Sequence, residues 1–207
     1  MAYSQNTGWF YMGANHWKED YWTEEVTYKK GAAYLGQGFR IKRMYDDHVG
    51  VLRAVDPISG EIKWTHKEKL PMWAGVLATK GGLIITGTGD GYVKAFDEET
   101  GEELWKVKYG SLGFSIVPKP VIGDGMVYIG TSFIRPQLLA FDITQARPEI
   151  AWACKRSVPA VSSPILVGGE IYFVSDSGGI VTCLDAKTGK EQWRERISGN
   201  HEASPTF

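Results

Sequence analysis

An all-β fold of four-stranded antiparallel blades is the class this sequence predicts, on three observations. First, a short strand ending in aspartate recurs four times and is followed each time by a turn and a tryptophan: Leu52–Asp56 to Trp64, Val93–Asp97 to Trp105, Leu138–Asp142 to Trp152, and Val181–Asp185 to Trp193. Second, successive aspartates lie 41, 45 and 43 residues apart, the period of a propeller blade and too long for leucine-rich or tetratricopeptide units. Third, runs of β-branched and aromatic residues bounded by glycines precede the repeat strands: Leu83–Thr86, Met126–Ile129 and Ile171–Ser175. Residues 1–207 are therefore expected to form a single β-propeller unit of four blades per chain.

The turn after each aspartate follows from its composition. Asp185-Ala186-Lys187-Thr188-Gly189 has a turn former at each end and glycine where positive φ is needed. Three copies keep aspartate, glycine and tryptophan at fixed offsets (Asp56/Gly60/Trp64, Asp97/Gly101/Trp105, Asp185/Gly189/Trp193), while the third runs through Thr144–Pro148 and delays Trp152 by two residues. The four tryptophans are expected to pack between neighbouring blades, because large aromatics dominate such interfaces. Gly81-Gly82, Gly123-Asp124-Gly125 and Gly168-Gly169 supply the other tight turns.

Residues 15–49 interrupt this meander with a long inserted loop, aromatic and charged from Asn15 through Trp22, that has no repeat partner. An insertion of this size fits a functional loop or lid over one ring face, and equally a shield over a sheet edge or subunit contact. At the other end, Ala203-Ser204-Pro205-Thr206 echoes Ser162-Ser163-Pro164-Ile165 and is expected to open a fifth blade. An unclosed propeller leaves strand edges and apolar faces in water. Four blades could close alone as a tight ring, or two copies could close an eight-bladed ring as a homodimer.

Composition excludes several classes. Net charge is −1 with mixed signs, so no basic stripe points to nucleic acid, and no run is long enough for a membrane span. Cys154 and Cys183 fall in different repeats without metal-ligand spacing. His16, His48, His66 and His201 show no zinc pattern. The acidic pairs Glu19-Asp20, Glu24-Glu25 and Asp46-Asp47 lack the ordered spacing of a calcium loop and read as solvated faces. No Gly-x-Ser-x-Gly elbow or phosphate-binding loop occurs. Met1–Asn6 carries no secretory signal pattern, which would leave the product as written in the cytoplasm.

Specific strings go beyond the repeat. Met1–Ser4, Gly13–Trp17, Lys30–Gly36, Gly50–Pro57 and Met72–Thr79 closely resemble the C-terminal portion of pyrroloquinoline-quinone-dependent (PQQ-dependent) methanol and ethanol dehydrogenases, a family of eight-bladed propellers, over about residues 1–109. Beyond Gly110, Gly113–Pro120 and Arg135–Ala140 resemble non-enzymatic quinoprotein-like propellers of the outer-membrane assembly type, so the texture suggests a chimeric chain. The dehydrogenase resemblance implies a periplasmic location and a quinone held on the propeller axis beside calcium or a lanthanide. It also implies an aspartate that takes the substrate hydroxyl proton as hydride passes to the quinone.

Two residues of this chain match quinone-lining positions of that family: Asn15, in the Ala-Asn-His loop, and Trp73, in the Trp-Ala-Gly strand. Asn15 also fits a cap for the turn that opens the insertion. Trp73, two residues after Pro71, lies outside the packing repeat. The family's metal ligands, catalytic aspartate and stacking tryptophan lie in earlier blades, which this chain does not match. The expectation is a dehydrogenase fragment or derivative with no catalytic residue of its own, weakly active or inactive alone. The alternative is a non-catalytic propeller scaffold, self-assembling or protein-binding.

Overall fold

Each repeat aspartate closes the hairpin that follows it. Asp56 Oδ1 accepts the N–H groups of Ile58 and Ser59 at 2.8 and 3.2 Å. Asp97 Oδ1 likewise accepts those of Glu99 and Thr100 at 3.0 and 2.8 Å, and Asp185 Oδ1 that of Thr188 at 2.8 Å. The glycines four residues on, Gly60, Gly101 and Gly189, sit at φ 72°, 72° and 71°, a conformation that side chains resist. In the longer third turn Asp142 Oδ1 accepts both the N–H and the hydroxyl of Thr144.

The computed structural model describes residues 1–31, 36–110, 118–131, 136–145 and 147–206. The expectations that fell on Ala32–Leu35, Gly113–Val117, Arg135, Ala146 and Phe207 lie outside the described residues. Among the described residues eighteen strands follow in chain order: β1 (Ala2–Tyr3), β2 (Phe10–Asn15), β3 (Trp17–Thr23), β4 (Gln37–Arg43), β5 (Gly50–Val55) and β6 (Ile62–Glu68). Next come β7 (Val76–Ala78), β8 (Leu83–Gly87), β9 (Tyr92–Asp97), β10 (Glu103–Lys108), β11 (Val121–Gly123) and β12 (Met126–Gly130). The last six are β13 (Leu138–Asp142), β14 (Glu149–Cys154), β15 (Ile165–Val167), β16 (Glu170–Val174), β17 (Ile180–Asp185) and β18 (Glu191–Arg196).

They form four antiparallel four-stranded sheets, β1-β2-β5-β6, β7-β8-β9-β10, β11-β12-β13-β14 and β15-β16-β17-β18, with β3-β4 as a separate two-stranded ribbon. The fold is all-β, and its four sheets are the blades of a propeller.

A β-bulge aims each repeat tryptophan. The register slips by one residue between Ala54↔Trp64 and Val55↔Ile62, and the same slip recurs at Ala95/Phe96, Ala140/Phe141 and Cys183/Leu184. The extra residue is the one just before the tryptophan, namely Lys63, Leu104, Ala151 or Gln192. Such a bulge bends the strand and re-aims the next side chain. Because Trp152 still stands opposite Ala140, the extra length of the third repeat is absorbed in its turn.

Trp64 Nε1 donates to the Glu98 carbonyl at 2.9 Å, and Tyr11 Oη donates to the same oxygen at 3.1 Å. Trp152 Nε1 and Tyr128 Oη meet at the Ala186 carbonyl with the same distances, 2.9 and 3.1 Å. Glu98 and Ala186 each follow a repeat aspartate of the next blade. A Cβ on Gly101 would come within 2.6 Å of the Trp64 ring, and one on Gly189 within 2.6 Å of Trp152. Glycine is thus required at these turns twice over, by φ and by the neighbouring blade's indole.

Apolar clusters fill the three junctions: Tyr11, Leu52, Ile84 and Phe96 between blades 1 and 2; Ile85, Val93, Val127 and Phe141 between blades 2 and 3; Tyr128, Leu138, Phe173 and Leu184 between blades 3 and 4. An ionic bridge adds to the first. Lys94 on β9 contacts Glu68 of blade 1 at 2.7 Å and Glu103 at 3.2 Å, with all three side chains largely buried. Burial pulls the Lys94 ammonium down, but the two carboxylates outweigh it and hold the group above its ordinary range. Burial likewise pushes Glu68 up, and bonds from His66 and Lys94 leave it net lowered.

The insertion departs from the expected loop. Trp17–Thr23 pairs with Gln37–Arg43 from Trp17↔Arg43 to Thr23↔Gln37, a regular hairpin arm rising from blade 1. Its partial alternation fits this: Trp17, Tyr21, Phe39 and Ile41 share one face with Glu19 and Arg43, while Lys18, Asp20, Arg40 and Lys42 share the other with Trp22. Asp20 and Lys42 form an ion pair on the second face.

Candidate functional site

Two glycines bring the connection between blades 1 and 2 down onto the end of blade 1. A Cβ on Gly13 would stand 3.0 Å from Met72 Cβ, and one on Gly50 would collide with the Leu70 carbonyl. Asn15, the last residue of β2, locks that approach. Its Oδ1 accepts from Met72 N at 2.7 Å and its Nδ2 donates to Met72 O at 3.4 Å.

Met72 is buried, and Trp73 directly after it is held at the surface with 40% of its area exposed. The Trp73 ring lies 6.1 Å from that of Trp17, tilted by 60°. Asn15 and Trp73, singled out separately in the sequence, are therefore joined through one residue. Asn15 acts on the backbone that carries Trp73, and a second hydrogen on Nδ2 is left for another acceptor.

A cluster that the sequence reading left unassigned lies next to them. Arg53 Nη2 donates to His16 Nε2 at 3.1 Å, His16 Nδ1 faces His48 Nε2 at 3.0 Å, and His48 Nδ1 faces Asp47 Oδ1 at 2.6 Å. Lys67 Nζ completes the row at Asp47 Oδ2, 2.7 Å away. Arginine only donates, so His16 Nε2 is an acceptor and the proton sits on Nδ1. His48 must then accept at Nε2 and donate from Nδ1 to the carboxylate.

Every bond in the row thus runs one way with both imidazoles neutral. Burial, then Arg53 and His48, hold the His16 pKa below its ordinary value. The hydrogen bonds from Lys67 and His48 pull Asp47 down to about 2. Tyr45 stacks on His48 at 4.7 Å and 12°. The row ties the entry of the hairpin arm, His16, to its exit, Asp47-His48, and both to β5 and β6. His16 and His48 are 32 residues apart with no periodic relation; the pairing of β2 with β5 and of β3 with β4 brings them together.

Among the described residues no group of three or more His, Cys, Asp or Glu side chains could hold a metal. Cys183 is fully buried and Cys154 half-buried, both as free thiols. Cavities of about 320 and 520 Å³ open on the opposite face, among the β1–β2 and β7–β8 turns and around Asp124, Gly169 and Lys187. Neither is lined by Asn15 or Trp73.

A family model, PQQ_2, described as outer membrane protein assembly factor BamB, matches residues 48–206. This chain belongs to that family. As a PQQ_2 chain it is also similar to the quinoprotein ethanol dehydrogenase of Pseudomonas aeruginosa, 66% identical over 134 residues that cover 64% of this chain and 21% of the enzyme. The chain thus matches about a fifth of that relative's length. An alignment of this extent cannot fit within residues 1–109, so dehydrogenase-like sequence extends past Tyr109.

Among solved structures, a europium-containing methanol dehydrogenase superposes with a TM-score of 0.52 at 31% identity, over 68% of this chain and 23% of that one. BamB from Moraxella catarrhalis superposes at 0.57 with 20% identity, over 71% and 42%, a likeness of fold. No helix of the described residues is long and apolar enough to cross a membrane.

Proposed function

We propose that this chain is a fragment or derivative of a PQQ-dependent alcohol dehydrogenase that contributes one wall of the quinone site, Asn15 and Trp73, without the metal-binding and proton-accepting groups. The observation that carries this reading is the Asn15–Met72–Trp73 clamp, which presents a half-exposed indole and a spare amide hydrogen together. The donor set fits a flat, carboxylate-bearing quinone: Trp73 and Trp17 offer aromatic surface, and Asn15 Nδ2 offers a hydrogen bond to an anionic oxygen. Gly13 and Gly50 keep that wall in register, and the His16–His48 row fixes the base of the arm that carries Trp17.

Bound PQQ, with calcium or a lanthanide beside it, would supply hydride acceptance. This chain's residues bind and orient; none of them is assigned the substrate proton, and turnover of an alcohol by the chain alone is not expected. The periplasm is the location that the dehydrogenase resemblance supports. The test is a titration of PQQ and calcium followed by quinone absorbance. Wild type shifts the spectrum saturably and Trp73→Ala does not; a flat titration of wild type at high protein concentration removes the reading.

A second reading, a non-catalytic scaffold, is favoured by the family match over residues 48–206 and by the exposed aromatic face of the arm, where Tyr21, Phe39 and Ile41 are each at least half exposed. That face would suit a protein partner.

A further inference from the structure

The two outermost blades each carry half of the lock that joins the inner ones. On blade 4, Tyr172 and Trp193 form the same ring pair (5.9 Å) as Tyr11–Trp64 and Tyr128–Trp152 (both 5.8 Å). Trp193, however, is 42% exposed, and the Tyr172 hydroxyl turns back to the Glu170 carboxylate of its own strand. On blade 1, the Asp56–Gly60 turn has the same backbone bonds and nearly the same glycine φ as its counterparts in blades 2 and 4. A Cβ on Gly60 nevertheless meets nothing within 4 Å, where Gly101 and Gly189 lie against an indole. Pro57, after Asp56, offers its carbonyl where Glu98 and Ala186 receive two donors.

Burial along the strands agrees. β12, with a blade on each side, is buried at all five positions, whereas its equivalent β16 alternates, burying Ile171 and Phe173 and leaving Tyr172 and Val174 half-exposed. On β2, Tyr11 is buried toward blade 2, while Phe10 and Met12 on the opposite face stay half-exposed. The single chain is therefore not a closed four-bladed ring. It has two open apolar faces, one carrying the Tyr-Trp donors and the other the glycine notch.

We propose that these faces dock on each other between two copies of this chain, Trp193 of one copy seating over Gly60 of its partner with Nε1 on the Pro57 carbonyl. The occupant is a second copy because this sequence itself supplies both halves of the lock. Two such junctions about a two-fold axis cover both open blade faces and close eight blades into a ring. The proposal does not depend on quinone binding.

The test is light scattering coupled to size exclusion on the 207-residue chain over a range of concentrations. The expected mass is twice 23.0 kDa, and Trp193→Ala is expected to elute as a single chain with an unchanged far-ultraviolet circular dichroism spectrum. It removes no junction within the chain, so folding should survive. Gly60→Ala provides a second arm: a methyl there blocks the notch and should raise the dimer dissociation constant at least about 100-fold. Single-chain mass for wild type at every concentration would overturn the proposal and leave the open faces to further blades of a longer polypeptide. Dimers of Trp193→Ala and Gly60→Ala as tight as wild type would also overturn it.

Discussion

Blades 1 and 4 are built on the same repeat, with the same aspartate turn, the same bulge and the same tyrosine–tryptophan pair, yet they differ in what joins their middle strands. In blade 4, β16 passes to β17 through the short Ser175–Gly179 turn. In blade 1, the equivalent connection leaves at His16, builds the β3-β4 arm, and returns through Asp47-His48 into β5. Apart from Gly50 and Arg53 on β5 and Lys67 on β6, every residue of the candidate site belongs to that insertion, to the β2 end that launches it, or to the Met72-Trp73 segment beside it. The repeat assembles the blades, and departures from it carry the chemistry.

That division can be broken most severely at a junction. Trp64→Ala or Trp152→Ala removes a packed indole and a hydrogen bond, and each is expected to cost about 3 kcal/mol in denaturant unfolding. Trp193→Ala, studied where the chain is monomeric, is expected to cost under about 1 kcal/mol. Equal losses at all three sites would mean that the interblade lock does not carry the stability assigned to it.

A paired glycine experiment sharpens the same point. Gly101→Ala and Gly60→Ala impose the same positive φ, costing about 1 kcal/mol each, but only Gly101→Ala also drives a methyl into Trp64. Its additional loss, about 2 kcal/mol, should vanish in a Trp64→Ala background, as a double-mutant cycle would show. Across the first junction, Lys94→Met removes the cation shared by Glu68 and Glu103, leaving them only His66 and Lys106, and is expected to cost about 2 kcal/mol.

Acid should act on repeat and insertion at different pH. Glu68, Glu103 and the turn aspartates Asp56, Asp97, Asp142 and Asp185 all have lowered pKa values. The stability they confer is full above their unfolded values, near 4.5 for Glu and 3.8 for Asp, and is lost as pH falls through the folded ones. His16 is lowered from 6.5, so the unfolded chain takes up its proton first. Its neutral bonded form contributes fully above pH 6.5 and progressively less below. Histidine NMR should show His16 and His48 as Nδ1–H tautomers at neutral pH, with the arm loosening in mild acid before the blades unfold. Simultaneous loss of both would contradict the separation.

The sequence made the repeat legible because aspartate, glycine and tryptophan at fixed offsets reflect strictly local demands of φ, turn bonding and strand pairing. Leu83–Gly87, Met126–Gly130 and Glu170–Val174 became strands where glycine-bounded apolar runs predicted them. The bulge before each tryptophan left no compositional trace, since Lys63, Leu104, Ala151 and Gln192 share nothing but position. The arm was missed as a hairpin because its Trp17–Thr23 and Gln37–Arg43 strands lie far from any repeat partner, although their partial alternation was present. The histidine row depends on a long-range pairing that no spacing rule encodes. Asn15 and Trp73 were visible only through a resemblance, and their link through the Met72 backbone appears only in three dimensions.

The most direct test of the account is the thermal unfolding midpoint measured with and without PQQ and calcium. A ligand held at about a hundred times its dissociation constant stabilises the native state by about 2.7 kcal/mol. A raised midpoint in wild type that disappears in Trp73→Ala but persists in Trp64→Phe, which keeps the junction packed, is the predicted result. An unchanged wild-type midpoint, or an equal rise in Trp73→Ala, would contradict the assignment of a quinone-facing wall to Asn15 and Trp73.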